Sequence, residues 1–102
     1  LVIDDEELVR RAVMRALELN PRSLEALGTL GKIAYLQGDL AGAEAIYKSG
    51  FKIKPDWAHG HFNLAAIYIN SGRIADARPQ LVETLRLDPL NSEARRLLKG
   101  LR

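Results

Sequence analysis

The residues able to do chemistry are few and scattered in this 102-residue chain. His59 and His61 are its two histidines. Imidazole is a common metal ligand, but residues two apart on a helix point to opposite sides, so this pair cannot readily share an ion. Asp4, Asp5, Glu6 and Glu7 would suit acid catalysis or a calcium site. Four acids ahead of an apolar run equally suit a helix N-terminus, where free N–H groups and the helix dipole favour negative charge. Arg95, Arg96, Lys99 and Arg102 make the last stretch basic. No aromatic platform is interleaved with them, so a solvated helix face explains them better than nucleic acid. Cysteine is absent, which excludes disulfides, thiolate catalysis and Cys-ligated zinc. There is no Gly-rich phosphate loop, nucleophile elbow or H-E-x-x-H. No catalytic residue, metal ligand or cofactor is therefore expected, and the function sought is binding.

Bulk properties agree. Fifteen basic residues against thirteen acidic ones give a net charge of +2, with the signs mostly interspersed, which is too mild to argue for nucleic acid. The longest apolar runs are far too short for membrane insertion. Apolar residues make up 47% of the chain, enough for one modest core. These features leave the compartment open, with the cytoplasm favoured.

The elements that must position any binding residues follow from a repeat. Pro21, Pro55 and Pro89 are spaced by 34 residues, and a fixed period of that size signals stacked supersecondary units. With 21–54 laid over 55–88, Leu30 falls on Leu64, Ile33 on Ile67, Gly38 on Gly72, Ala41 on Ala75 and Ala43 on Ala77. Apolar spacing of three and four predicts six helices and no strand. The first runs from the acidic cluster to Leu19, with an apolar face of Leu8, Val9, Ala12, Val13, Ala16, Leu17 and Leu19, and Asn20-Pro21 stops it. Ser23, Asp39, Asp56 and Arg73 mark the starts of the next four, and Asn91 or Ser92 the last. Gly38 and Gly72 turn the two hairpins. Pro79 falls inside the fifth helix, where a bend near its start is expected.

These residues resemble the tetratricopeptide pattern, a 34-residue helix-turn-helix with W-x2-L-G-x2-Y, then A-x3-F, then P. Leu27, Leu30, Gly31, Ala34, Ala43, Tyr47 and Pro55 stand on it in one unit, and His61, Leu64, Ala65, Tyr68, Ala77, Leu81 and Pro89 in the next. His61 replaces the expected large aromatic, and Trp57, four residues earlier, is placed to compensate by packing in the loop. Residues 22–55 and 56–89 read as complete units, 1–21 as the second helix of a preceding one, and 90–102 as the first helix of a following or capping one. The resemblance implies an all-α fold, an α-solenoid of antiparallel helical hairpins in a right-handed superhelix. Close approach within each hairpin needs minimal side chains, so Gly31 is expected against Ala43 and Ala65 against Ala77, with Leu30, Tyr47, Leu64 and Leu81 filling the space between.

In proteins of this kind the first helix of each unit lines a concave groove that receives an extended peptide or a partner helix. Carried onto this chain, the groove residues are Glu25, Thr29, Lys32 and Leu36, then His59, Phe62, Asn63, Ala66 and Asn70, with Glu93, Arg96 and Gly100 extending the row. Asn63 stands out because an amide both donates to and accepts from a peptide backbone. A carboxylate-gripping set is incomplete, since Gly28, Glu93 and Leu97 occupy places where it would want polar or basic groups. The expected partner is a protein or peptide. Two further readings are a regulatory or substrate-positioning arm of a larger enzyme such as a glycosyltransferase, and homo-oligomerisation through apolar surface on the terminal helices.

Overall fold

The computed structural model describes residues 4–101, apart from the side chain of Glu6. The apolar Leu1 to Ile3 and the last basic residue, Arg102, lie outside the described residues. Among the described residues are six helices and no strand: α1 (Asp5–Leu19), α2 (Leu24–Leu36), α3 (Leu40–Ile53), α4 (Ala58–Asn70), α5 (Ile74–Leu87) and α6 (Ser92–Gly100). Each helix packs on its chain neighbours, and α2 also touches α4. Sequential stacking gives an elongated body, 48 × 25 × 20 Å.

Local chemistry sets the helix ends. The side chains of Asp4, Ser23, Asp39 and Asn91 accept from the backbone N–H three residues on, as N-caps do. The α2–α3 and α4–α5 turns pass through Gly38 and Gly72 at φ of 82° and 74°, a left-handed conformation that costs glycine nothing. α5 runs unbroken through Pro79, which lies exposed in its first half.

Two local expectations need correction. Asp56 does not cap α4: the N-cap is Trp57, whose side chain makes no capping bond. Its indole is buried instead, so this position serves packing rather than hydrogen bonding. The apolar face of α1 is largely uncovered, for Val13 is buried while Leu8, Val9 and Leu19 are 52%, 44% and 75% exposed. Among the described residues α1 packs mainly on α2, and one neighbour cannot cover a whole apolar stripe. The close-packed small residues acquire further neighbours. A Cβ added to Gly31 would lie 2.6 Å from the Tyr47 ring, so an aromatic ring sets the approach there. Ala77 joins the core around Tyr47, Leu64 and Tyr68, whereas Ala65 joins a second cluster with Leu81 and Ala94.

The main core is organised around Trp57. Its ring lies 5.7 Å from Tyr47 and edge-on to Phe51 at 6.1 Å, between centroids. Gly50 of α3 and Gly60 of α4 form the slot that holds it: a Cβ on Gly50 would come within 2.7 Å of Trp57 Cε3, and one on Gly60 within 2.7 Å of Cδ2. Trp57 thereby joins α3 to α4, the junction between one hairpin and the next. Tyr47 completes the link to α2, donating its hydroxyl to the Gly28 carbonyl at 3.0 Å. Burial disfavours the phenolate and pushes the Tyr47 pKa up from 10.0 to about 12.

Two outcomes follow. Gly50→Ala adds helix propensity worth about 1 kcal/mol, yet it overpacks a confined ring at a cost of about 1–3 kcal/mol. The urea midpoint should fall rather than rise. For Tyr47, the unfolded phenol ionises near its ordinary value while the folded one keeps its proton, so the contribution is complete below pH 10 and is lost as pH rises through about 12. Urea midpoints measured across that window should decline less steeply in Tyr47→Phe than in the parent.

Candidate peptide-binding groove

α2 and α4 are the first helices of their hairpins and lie side by side. Their facing residues line two hollows. The larger, about 570 Å³, is walled by Leu24, Glu25, Gly28, Thr29 and Lys32 of α2, with Trp57 and His59 opposite. The smaller, about 80 Å³, lies between Lys32, Tyr35 and Tyr47 on one side and Asn63, Ala66 and Ile67 on the other. Lys32 belongs to both, so the two hollows form one run along the α2–α4 seam.

Among the expected residues, Glu25, Thr29, Lys32, His59, Asn63 and Ala66 come together in this run. The others do not. Leu36 ends α2 at 66% exposure and lines neither hollow. Phe62 is half-buried against Ala65, Leu81 and Ala94, so its ring supports the second core cluster. Asn70, at the end of α4, donates to the Tyr35 hydroxyl and to the Ala66 carbonyl, tying α4 to α2. Arg96 on α6 pairs with Glu93 at 3.4 Å, with both side chains well exposed. Residues missed from the sequence are Leu24, Gly28, Trp57, Tyr35, Tyr47 and Ile67. Tyr47 and Ile67 read as core, and Gly28 read only as the absence of a polar group.

The polar groups are unevenly committed. Thr29 donates to the Glu25 carbonyl within its own helix at 3.0 Å. Asn63 donates one N–H to the His59 carbonyl at 2.9 Å, which pins the side chain along the helix. Its carbonyl oxygen and second N–H have no protein partner among the described residues. Fixed in orientation and half satisfied, that amide is set up to pair with backbone brought from outside.

The two histidines face different surroundings. His59 is exposed beside Trp57, with ring centroids 6.3 Å apart. His61 stacks on Phe51 at 4.1 Å, with Nδ1 2.7 Å from Gln80 Oε1 and Nε2 2.8 Å from the Pro55 carbonyl. A carbonyl only accepts, so Nε2 carries a proton. The ring thus fills an aromatic place and ties α4 to α5 and to the preceding loop. Elsewhere, Arg73 reaches both carboxylate oxygens of Glu44 at 2.7 and 2.9 Å and Asp76 at 2.9 Å, and it lies 4.4 Å over the Tyr68 ring. The hydrogen bonds it donates to Glu44 and then to Asp76 hold its pKa above the usual arginine value. The fork links α3 to the start of α5.

Comparison with known proteins gives a consistent picture. Two family models, each described as tetratricopeptide repeat, match residues 34–101 and 10–56. A Caenorhabditis elegans protein, BBSome complex member bbs-4, is 38% identical over 65 residues, which is 64% of this chain. The match spans only 14% of the length of that relative. Among solved structures, the first TPR of Spaghetti (RPAP3), bound to an HSP90 peptide, superposes with a TM-score of 0.84 over 90% of this chain and 73% of its own, at 14% identity. The type III secretion translocator chaperone SycD of Yersinia enterocolitica gives 0.84 over 94% and 71%, at 16% identity. A mutant O-GlcNAc transferase of Thermobaculum terrenum gives 0.83 over 90% of this chain but 18% of its own, at 27% identity. Below about a quarter identity such likeness speaks for the fold, while function rests on the residues of the site.

Proposed function

The chain belongs to the tetratricopeptide repeat family of protein-interaction scaffolds, and from that premise we propose that the α2–α4 seam receives an extended peptide or a helix of a partner protein. Residues 22–55 and 56–89 are then its two complete units, with 1–21 and 90–102 as parts of adjoining ones. The observation that carries this reading is Asn63, whose side chain is held by its own helix while half of its hydrogen-bonding capacity stays open beside Lys32 and Ala66. Such a group offers a new hydrogen bond to a bound backbone without first breaking one. The Spaghetti domain, which shares the fold, is itself bound to a peptide. The role is non-catalytic. In a longer protein it would be that of a repeat arm, a reading favoured by the likeness to part of the O-GlcNAc transferase.

The test is capture of a partner with the chain, followed by lysine cross-linking. Cross-links should gather at Lys32, whereas links confined to Lys48, Lys52 and Lys54 on and beyond α3 would sink the groove. Asn63→Ala should weaken capture several-fold, about 1 kcal/mol for a lost hydrogen bond, at an unchanged thermal midpoint. Phe62 makes a poor probe, since truncating it also removes core packing.

A second contact surface is favoured by the uncovered side of α1, where Leu8, Val9 and Met14 are all substantially exposed. α6 differs, because Leu97, Leu98 and Leu101 are half-buried against the second core cluster. Association of two copies would therefore run through α1. Light scattering should then show mass rising with concentration, and Val9→Lys should abolish the rise; a strict monomer at high concentration would exclude this mode.

A further inference from the structure

Gly28 is buried on α2 at the floor of the larger hollow, and nothing in the packing demands glycine there. A Cβ built on it would lie 3.4 Å from Trp57 Cζ2 and 3.7 Å from His59 Cδ2, both ordinary van der Waals distances. Gly31, Gly50 and Gly60 are different, since each would drive a Cβ to 2.7 Å or less from a ring atom. The backbone does not demand it either, because the positive-φ glycines are Gly38 and Gly72. Glycine is nonetheless among the least favourable residues inside a helix. What it leaves here is room: bare backbone beneath a hollow of about 570 Å³, walled by Leu24, the edge of Trp57 and the ring of His59.

The rim adds a charge pattern. Glu25 and Lys32 are exposed on the same helix, seven residues apart, which is about 10.5 Å along the axis. Neither makes an ion pair among the described residues, although seven such pairs occur elsewhere on the surface. An extended chain advances about 3.3 Å per residue, so opposite charges about three residues apart would match the two.

We infer that the Gly28 hollow is a subsite for one bulky apolar side chain of an extended partner segment, which carries an acidic residue toward Lys32 and a basic residue toward Glu25. An aromatic side chain fits best. The walls present an indole edge and an imidazole, which favour offset and edge-to-face ring contacts. This inference rests on the groove proposed above and adds to it what the groove selects.

The experiment uses random dodecapeptides displayed on phage, selected on the unaltered chain, with the enriched peptides then titrated against Gly28→Ala, Gly28→Leu and Asn63→Ala. Enriched peptides should carry one aromatic residue flanked by opposite charges. Replacing that aromatic by alanine in the peptide should cost about tenfold or more in affinity, as for a buried anchor. Gly28→Leu should cost a similar factor, and Gly28→Ala should bind more weakly while unfolding at the same temperature as the parent or higher. Should Gly28→Leu not fold, Gly28→Ala and the substituted peptides decide the matter by themselves. Peptides that lose affinity with Asn63→Ala but bind both Gly28 variants as well as the parent would overturn the subsite and leave the groove standing. Failure to select any peptide, or affinity indifferent to Asn63→Ala and to Gly28 alike, would overturn both.

Discussion

The junction between the two hairpins depends on one side chain in one slot. Trp57 stands at the first turn of α4, where a small polar cap would ordinarily serve, and it gives up that hydrogen bond to place its ring between α3 and α4. Removing a buried aromatic of this size from a core costs about 3–5 kcal/mol, a large share of the 5–15 kcal/mol that typically holds a domain together. The slot is equally demanding. Gly50 and Gly60 are poor helix formers in isolation, and they are present because any side chain there would meet the indole. Their loss of helix propensity is offset by the contact they permit, so the interface is matched from both sides.

The same arrangement shapes the groove. Because the ring enters from the α3 side and reaches toward Gly28, its edge becomes a wall of the larger hollow, and a core residue is also a surface residue of the site. Tyr47 repeats this double role. Its ring lies on Gly31, its hydroxyl meets the Gly28 carbonyl, and it lines the smaller hollow. Ligand contacts built on such residues inherit the rigidity of the core. The best-formed charged pair, by contrast, is not among the residues lining the seam: the fork of Arg73 onto Glu44 and Asp76 joins α3 to α5. The seam itself is left with uncommitted charges at Glu25 and Lys32.

The two ends of the body are unlike. α6 carries its leucines inward against α4 and α5, and Arg78 donates to the Leu101 carbonyl at 2.7 Å, so that end is closed over by its own residues. At the other end α1 turns Leu8, Val9 and Leu19 outward, with Arg10 reaching Gln37 as a polar tie to the end of α2. Stacked repeats gain stability from each neighbouring interface, and among the described residues α1 packs mainly on α2, whereas α3 has two such interfaces and α4 three. Of the two ends, α1 is the one with apolar surface to offer.

The fold was legible in the sequence because it is written as a period. Three prolines, two turn glycines and apolar spacing of three and four specify helices, hairpins and the family without any knowledge of contacts. Part of the candidate groove was legible too. The residues at matching places in successive first helices, from Glu25 to Lys32 and from His59 to Ala66, share a side because helical geometry leaves them no alternative. The remainder required the tertiary structure. Spacing names the face on which Phe62 lies but not the neighbouring helix that half-covers it. It gives Asn70 and Arg96 the same standing as Asn63, although one is spent on Tyr35 and the other on Glu93. Above all, it cannot tell one glycine from another. Gly50 and Gly60 make room for a ring of the protein itself while Gly28 leaves room for something else, and that distinction exists only where the chain brings Trp57 back against all three.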